Sequence, residues 1–406
     1  MTEQAKPQPP KDRSGFTVAI ICALTLESSA VEALLDDYYD ENDHHYGKAS
    51  GDPNTYTLGR IGRHNVVLAY MPGMGQINST TVAAHFNKSF PKIRLGLVAG
   101  ICGGVPQPPD AAEIFLGDVI ISTGLVQIDF GRQLVNGIQR KDTLDDNLGR
   151  PNTEIRGFLG HLQGYLGRKN LRSRVQQAIK EVLEIDDFKT SPHPAPETDQ
   201  LYVASYRHKH RIQGEGTCIV CDACIGDNDS VCDVALKASC TDLGCNRIVQ
   251  RIRPAVVPQI FFGKLAESNQ VMKSSLHRDN FAKEEKVLGY EMEGAGVWDN
   301  FPTIVIKGVC DYADSHKNKT WQPYAALTGA ATAKAVLLAW SGIDEEAATP
   351  ALATNPAASP PPQVNTATAA RAAPRGGHIF SGNFNAGRDQ NVGNVYDYGN
   401  RVEPKA

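Results

Sequence analysis

The chain has 406 residues, 41% of them hydrophobic, with 41 Lys and Arg against 45 Asp and Glu and a net charge of -4. A chain of this length buries a full-sized core and leaves room for a second region, which excludes a small disulfide-stapled scaffold. The charge balance argues against nucleic acid as the main partner and favours a small solute. The N-terminus lacks the apolar region of a secretory signal, and no apolar run reaches the roughly 20 residues that span a bilayer. We therefore expect a cytoplasmic protein.

Strands and helices alternate along residues 16–341, after a polar segment, residues 1–15, that is expected to be disordered. The apolar run from Phe16 to Leu24 predicts a buried parallel strand, and LESSAVEALLDDY then changes to helical period. Further strands are predicted at TYTLGRIG, HNVVLAYMPG, RLGLVAGIC, LGDVIISTGLVQIDF, PQIFFGKLAES and PTIVIKGVCDY. Helices are predicted around Thr80 to Phe90, at RSRVQQAIKEVLEI, and from about Gln322 to Trp340. This alternation predicts an α/β domain.

A cysteine-rich insertion is predicted over residues 188–254, because six of the nine cysteines fall between Cys218 and Cys245. An odd total and this clustering favour reduced thiols or a metal over a disulfide framework. The spacing predicts one four-thiolate zinc site, in which His208 or His210 could substitute, made of Cys218, Cys221, Cys240 and Cys245. Cys224 and Cys232 fit no simple scheme, and buried free cysteine as a small hydrophobe is the alternative.

The composition changes after Trp340. Residues 347–374 hold 11 Ala and 6 Pro, so residues 342–376 are predicted to form an extended, disordered linker. Residues 377–406 are instead rich in Gly and Asn with interspersed aromatics. Segments of this kind can stack as cross-β, although the many glycines leave a disordered tail as the alternative.

Three motifs contain residues suited to chemistry. VAGICGGVP, residues 98–106, places glycines directly after an apolar strand, where the backbone can approach a ligand; the alternative is a structural turn. YEMEGAGV sets Glu291 and Glu293 two residues apart on one strand face among apolar neighbours, unless this is a surface edge. IVIKGVCDYADSHKNK runs a buried strand into Asp311, a position typical of catalytic groups in α/β enzymes and also of helix N-caps.

Together with IICALTLES, these motifs resemble the purine nucleoside phosphorylase and nucleosidase superfamily, over roughly residues 16–340. The chain is most similar to the version found as an effector domain in fungal NOD-like receptors. The resemblance implies a mixed, partly barrel-like central β-sheet flanked by helices, and a site often shared across an oligomer interface. It implies no cofactor for the chemistry, so the zinc predicted above would be structural.

The resemblance also implies residue roles. Glu27 aligns with the carboxylate that activates the attacking water, and Asp311 with the acid that protonates purine N7. Glu293 aligns with the carboxylate that holds the ribose hydroxyls, and Met292 lies between sugar and solvent. The backbone loop beside the base is made of Gly100, Ile101, Cys102 and Gly103. One acid and one base address the two barriers of N-glycosidic cleavage, a poor leaving group and a weak nucleophile.

Ile101 and Val98 stand where phosphate-using relatives carry a Ser or Thr and an Arg. Glu27 and this departure favour hydrolysis. Lys307, where relatives often carry Arg, keeps the phosphorylase alternative open. A catalytically silent assembly module is the second alternative, against which the retention of Glu27, Glu293 and Asp311 weighs.

The substrate class implied by the resemblance is a purine nucleoside or an adenine nucleotide, ATP included. Predicted phosphate ligands are His316, Lys317, Lys319 and Arg278, with Arg207 and His208 as further basic residues; surface solvation is the alternative for each. The expected partners are a second copy of the chain and, through the C-terminal motif, a NOD-like receptor.

Overall fold

The structure, a computed structural model, describes residues 9–39, 46–135, 137–143, 145–189, 193–211, 218–226 and 229–341. The predicted linker, residues 342–376, and the predicted tail, residues 377–406, lie outside the described residues. Part of the N-terminal segment that was expected to be disordered, Arg13–Gly15, forms one 3-10 turn, in which Asp12 accepts a hydrogen bond from the Ser14 amide at 2.8 Å.

Eleven strands lie within the described residues. They are β1 (Val18–Cys22), β2 (Asp37–Tyr38), β3 (Tyr56–Ile61), β4 (His64–Tyr70), β5 (Leu95–Gly104), β6 (Val119–Gln127), β7 (Gly131–Leu134), β8 (Gly137–Arg140), β9 (Ile260–Glu267), β10 (Val287–Glu291) and β11 (Thr303–Asp311).

Nine of these strands form one sheet in the order β10-β9-β6-β11-β5-β1-β4-β3-β2. The edge strand β10 also pairs with β5, so β5, β11, β6, β9 and β10 close into a barrel-like ring. Strands β1, β5 and β11 run parallel, and β10 runs antiparallel to β5. The mixed, partly barrel-like sheet predicted for the domain is confirmed.

The helices are α1 (Thr25–Glu32), α2 (Gln76–Ser89), α3 (Thr153–Gln163), α4 (Tyr165–Leu183), α5 (Ile219–Ala223), α6 (Asp233–Lys237), α7 (Cys240–Leu243), α8 (Ser275–Glu285), α9 (Gly294–Trp298) and α10 (Gln322–Ala339). None of the helices in the described part of the chain is long and apolar enough to cross a bilayer.

Apolar layers cover both faces of the sheet. Every residue of β1 is buried, because Val18 and Ile20 face one layer while Ala19 and Ile21 face the other. The first layer contains α10, which packs on α1, α4, β5 and β11 and is apolar on all sides. The second contains an aromatic cluster in which Phe90, directly after α2, contacts both Phe16 and Phe86 of α2. The sheet is thus a rigid support for the residues at its strand ends.

Candidate active site

A cleft of about 230 Å³ lies where the ends of β1, β5, β10 and β11 meet. Its walls combine carboxylates, backbone of the glycine-containing strand β5, and a largely apolar rim. The residues that line it are Ala23, Leu24, Glu27, Met74, Ile101, Cys102, Gly103, Ser268, Gln270, Val271, Met272, Tyr290, Glu291, Met292, Glu293, Cys310, Asp311, Ala313, Lys317 and Gln322. The cleft therefore brings together predicted residues from four separate motifs.

Glu27 is held at the cleft by backbone amides. It is the third residue of α1, and its Oε2 accepts hydrogen bonds from the amides of Ala23 and Leu24, each at 2.9 Å. Its Oε1 accepts from the Ile101 amide of β5 at 2.8 Å. These bonds use three of the roughly four acceptor positions of a carboxylate. Burial raises the pKa of Glu27, and Glu293 adds to this, while Lys307 and the amides oppose it.

Gly100 of β5 makes the approach of Glu27 possible. A Cβ at this position would lie 2.2 Å from the Glu27 Oε1 and 2.5 Å from its carboxyl carbon. Any side chain here would therefore push the carboxylate away from the Ile101 amide. Gly100, which the sequence analysis noted, thus allows α1 and β5 to lie close together at the site.

Lys307 is buried beneath two further carboxylates. Its Nζ donates to Glu293 Oε2 at 2.6 Å and lies 3.6 Å from Glu291 Oε2, and its side chain is 1% exposed. Burial alone would lower the pKa of Lys307, but the charges of Glu293, Glu291 and Glu27 outweigh it and raise that pKa. Glu291 also accepts from the amides of Glu293 and Gly294 at 3.0 Å. Lys307 therefore stays a cation that neutralises the carboxylates around it.

Asp311 ends β11 and lines the same cleft. Its Oδ1 accepts from the Ala313 amide at 2.8 Å, and its Oδ2 lies 3.0 Å from the Nζ of Lys317. Asp311 is buried, whereas 23% of the Lys317 side chain is exposed. Lys317 is therefore the more mobile partner of this ion pair. It is also the one cation among the described residues that line the cleft.

A fifth carboxyl group, that of Glu267, lies behind the cleft. It ends β9 opposite Glu291 in the register, and Gln76 donates to its Oε2 at 3.1 Å. Burial, with the charges of Glu291 and Asp129, raises the pKa of Glu267 to about 9. Glu267 is therefore protonated at neutral pH and adds no charge to the group around Lys307.

The other predicted phosphate ligands do not line the cleft. Arg278 is buried and donates to Asp279 and to the Tyr312 carbonyl at 2.7 Å. His316 faces His208, with their Nδ1 atoms 3.2 Å apart. Arg207 donates to the Gly226 carbonyl at 3.2 Å, and Lys319 is exposed. Lys317 is the single member of the predicted set that the structure brings to the site.

The four thiols predicted to share one zinc do not meet at one point. Cys240 and Cys245 lie with His208 and His316, whereas Cys218 and Cys221 lie with His210 and Cys232. The spacing rule grouped the cysteines by their distance along the chain, and the fold separates them into two clusters. Cys232, which fitted no scheme, belongs to the second cluster, while Cys224 belongs to neither.

Sequence reasoning missed part of the cleft wall. Met74 precedes α2, and Gln270, Val271 and Met272 follow β9. The signal that could have found the latter three is their place just after a predicted strand, where side chains of α/β proteins commonly contact ligands. Lys307 was noted only as a substitution for Arg; its pairing with two glutamates depends on the closure of β10 onto β5, which no local pattern encodes.

Replacing Lys307 should destabilise the fold. The substitution Lys307→Met leaves Glu291 and Glu293 buried without their cation, a loss of about 3–5 kcal/mol in the free energy of unfolding. Urea unfolding followed by circular dichroism measures this change. The matched control is Lys189→Met, which removes an exposed ion pair with Asp186 and should leave the midpoint unchanged. Equal midpoints for the two variants would contradict the role given to Lys307.

A family profile and one curated relative match most of the chain. The profile of the Phosphorylase superfamily matches residues 17–339. A nucleotide-binding leucine-rich repeat (NLR)-like protein of Hyaloscypha variabilis is 30% identical over 328 residues; the match covers 79% of this chain and 29% of that protein, so the chain spans less than a third of its relative.

Two solved structures are similar at lower identity. The 5'-methylthioadenosine/S-adenosylhomocysteine nucleosidase of Neisseria meningitidis is 15% identical with a TM-score of 0.45, over 80% of this chain and 99% of that one. The futalosine hydrolase of Helicobacter pylori is 15% identical with a TM-score of 0.44, over 80% and 97%. The match to the family profile, which covers most of the chain, shows that the protein belongs to the Phosphorylase superfamily.

Proposed function

We propose that the protein is a purine nucleosidase, which hydrolyses the N-glycosidic bond of a purine nucleoside or adenine nucleotide. The observation that carries this proposal is the meeting of Glu27, Glu293 and Asp311 in one cleft. Each comes from a different motif, and each is buried. Buried carboxylates that converge on a cleft are uncommon outside functional sites.

The proposed roles follow from the protons and hydrogen bonds that each side chain can donate or accept. Glu27 Oε1 has an acceptor position left for a water molecule and takes its proton as the water attacks C1′ of the ribose. Glu293 accepts hydrogen bonds from the ribose hydroxyls, an interaction that strengthens as positive charge develops on the sugar. The electron pair of the C1′–N9 bond leaves with the purine, and Asp311 supplies the proton at N7. Because an acid must carry that proton, Lys317 has to leave Oδ2 as the purine binds, and Asp311 takes up a proton from the solvent at that step.

Water is favoured over phosphate as the nucleophile because the cleft offers little to hold an anion. Ile101 and Val98 provide no hydroxyl or guanidinium. Lys307 is already bound to Glu293 and Glu291, and Lys317 lies at Asp311, the acid proposed for the base. A phosphate dianion would face a group of carboxylates, and Lys317 is the one cation among the described residues of the cleft that could turn toward it.

The finer proposals concern substrate and context. Adenine nucleotides, ATP included, are the substrates to test first, since the family resemblance includes an effector form found in fungal NOD-like receptors. We place such an effector in the cytoplasm, as a homo-oligomer recruited by an NLR partner through residues 377–406, which act as a cross-β motif. The NLR-like relative from Hyaloscypha variabilis supports this context.

Release of the base should proceed without phosphate. In phosphate-free buffer, ATP, adenosine and inosine should yield free purine and a reducing sugar or its 5′-phosphorylated form, measured by chromatography and mass spectrometry. Asp311→Asn, which keeps the shape of the side chain but removes the acid, should lower kcat by about 10²- to 10⁴-fold. Strict dependence on phosphate with a ribose 1-phosphate product would establish the phosphorylase instead. No turnover under either condition would leave an assembly role.

The pH dependence of kcat/KM should reflect the ionisation of Glu27. A base must be ionised, and burial raises the pKa of Glu27, so kcat/KM should fall as the pH drops through a value above the ordinary 4.5 of glutamate. The matched control is Glu267→Gln, because Glu267 is already neutral at pH 7 and its amide keeps the shape. This variant should keep the same acid limb. Loss of that limb in the control would assign it to Glu267 rather than Glu27.

Gly100→Ala should disable turnover while the domain still folds. The added Cβ displaces the Glu27 carboxylate, and a misplacement of about 1 Å costs on the order of 10² in rate. The control is Gly124→Ala on β6, where a Cβ meets only Lys264 Cγ, at 3.9 Å. Steady-state kinetics and thermal unfolding measure both variants. Full activity in Gly100→Ala would show that the position of Glu27 does not matter for the reaction.

A further inference from the structure

The first Cys/His cluster has the dimensions of a tetrahedral metal site. Site A consists of His208, Cys240, Cys245 and His316, whose ligand atoms all lie within 4.8 Å of one another. The two Nδ1 atoms are 3.2 Å apart, and Cys240 Sγ lies 3.4 Å from Nδ1 of His316 and 3.7 Å from that of His208. Cys245 Sγ lies 3.7 Å from Nδ1 of His208. Tetrahedral zinc with bonds of 2.0–2.3 Å has ligand–ligand edges of about 3.3–3.8 Å.

The outer nitrogens of the two histidines show which atoms face the cluster. His208 Nε2 lies 3.0 Å from the Ala238 carbonyl, and His316 Nε2 lies 2.8 Å from the Tyr206 carbonyl. A carbonyl only accepts, so both Nε2 atoms donate, and in the neutral rings both Nδ1 lone pairs point inward. Two lone pairs at 3.2 Å repel unless a metal ion or a proton lies between them. Donation of the outer N–H to a carbonyl is how metal-binding histidines are commonly oriented.

The second cluster lies wholly inside the insertion. Site B consists of His210, Cys218, Cys221 and Cys232, again with all ligand atoms within 4.8 Å. His210 Nδ1 is 3.5 Å from the sulfurs of both Cys221 and Cys232, a tetrahedral edge once more. Cys232 Sγ also accepts a hydrogen bond from the Ala235 amide at 3.3 Å, as a metal-bound thiolate does.

Among the described residues, the part of the insertion that surrounds the two clusters has a small apolar core of its own. Its helices α5, α6 and α7 have four or five residues each, and their buried apolar cluster has as its members Cys221, Ala235 and Leu243. A core of this size does not by itself offset the entropy of ordering the segment around it. Small folds of this kind are commonly stabilised by metal binding, whose free energy becomes folding free energy.

We propose that the protein binds two zinc ions, one at site A through two thiolates and two imidazoles and one at site B through three thiolates and one imidazole. Sulfur and imidazole donors in tetrahedral sets favour zinc over magnesium, calcium or manganese. Four protein ligands fill each coordination sphere, so both ions are structural. All nine cysteines are free thiols, so each ligand sulfur can lose its proton to the solvent and bind as thiolate.

Site A also joins the insertion to the proposed active site. His316 follows β11 and lies five residues after Asp311, whereas the other three ligands belong to the insertion. The ring of His316 stacks on Tyr202, with centroids 4.1 Å apart. Zinc at site A thus fixes His316, at the end of the turn that begins with Asp311. The insertion acts through this bond as a positioning element for the acid.

The test is the metal content of the full chain, purified without added metal or chelator and measured by plasma mass spectrometry. Wild type should hold two zinc ions per chain. His316→Ala or Cys245→Ser should remove the ion at site A, and Cys232→Ser the ion at site B, leaving one each. Cys224→Ser is the matched control, a buried cysteine of the same insertion outside both clusters, and should keep two.

Cobalt substitution identifies the donors. Because site A supplies two of five thiolates, the sulfur-to-cobalt absorbance should fall by about two fifths in His316→Ala and by about three fifths in Cys232→Ser. A single ion per wild-type chain that His316→Ala retains would establish one four-thiolate site and overturn the proposal. Absence of zinc, iron in its place, or equal losses in Cys224→Ser and Cys232→Ser would also overturn it.

Hydrogen exchange separately tests whether the insertion positions Asp311. Hydrogen exchange of the amides between Tyr312 and Lys317 should speed up in Cys245→Ser and remain as in wild type in Cys232→Ser. Unchanged exchange in both variants would contradict the positioning role and would show that site A stabilises the insertion alone. Because neither metal content nor exchange depends on turnover, failure of the nucleosidase assignment would leave this test intact.

Discussion

The site depends on one buried cation. Lys307 lies in the middle of the sheet, and its buried ammonium group pairs with the side chains of Glu291 and Glu293 at the wall of the cleft. Taking charges out of water is costly, and only close contact with the opposite charge offsets this cost. A charge fixed on a central strand does not reorganise when a ligand arrives. The sheet therefore supplies an electrostatic environment that is set before substrate binds.

The elements that the sequence predicts well are those whose pattern reflects burial. Strands β1, β5 and β11 are mainly apolar because their residues are buried in the layers on the two faces of the sheet, and α10 is mainly apolar because it packs within the first layer. The polar elements were missed. Helix α8 has few apolar residues and is defined by its cap, where Ser274 accepts from the His277 amide. Strands β7 and β8 pair only with each other, so their residues carry no alternation to detect.

The residues of the candidate site fall into the same two groups, those that the sequence predicts and those that it does not. Residues at strand ends, such as Glu27, Glu293 and Asp311, could be found because a short motif surrounds each of them. Contacts that arise from tertiary closure could not: the pairing of Lys307 needs β10 to close onto β5, and His316 joins a cluster whose nearest cysteine is 71 residues earlier in the chain. Spacing rules work when all ligands lie in one segment. Here the fourth ligand of site A comes from the turn after β11.

The turn after β11 connects the candidate active site, through Asp311, with the cysteine-rich insertion, through His316. Ala313 has a φ of 51°, a left-handed conformation that costs a residue with a Cβ about 1–2 kcal/mol. Such a conformation persists only when its surroundings hold it, and here the constraints come from both sides. Asp311 Oδ1 accepts from the Ala313 amide, Arg278 binds the Tyr312 carbonyl, and His316 is fixed by the insertion. With both ends fixed, Lys317 is left as the adjustable member, since its half-buried side chain can leave Asp311 without moving the backbone. A rigid acid with a movable counter-ion suits the proposed reaction, in which the cleft binds a purine base and protonates it.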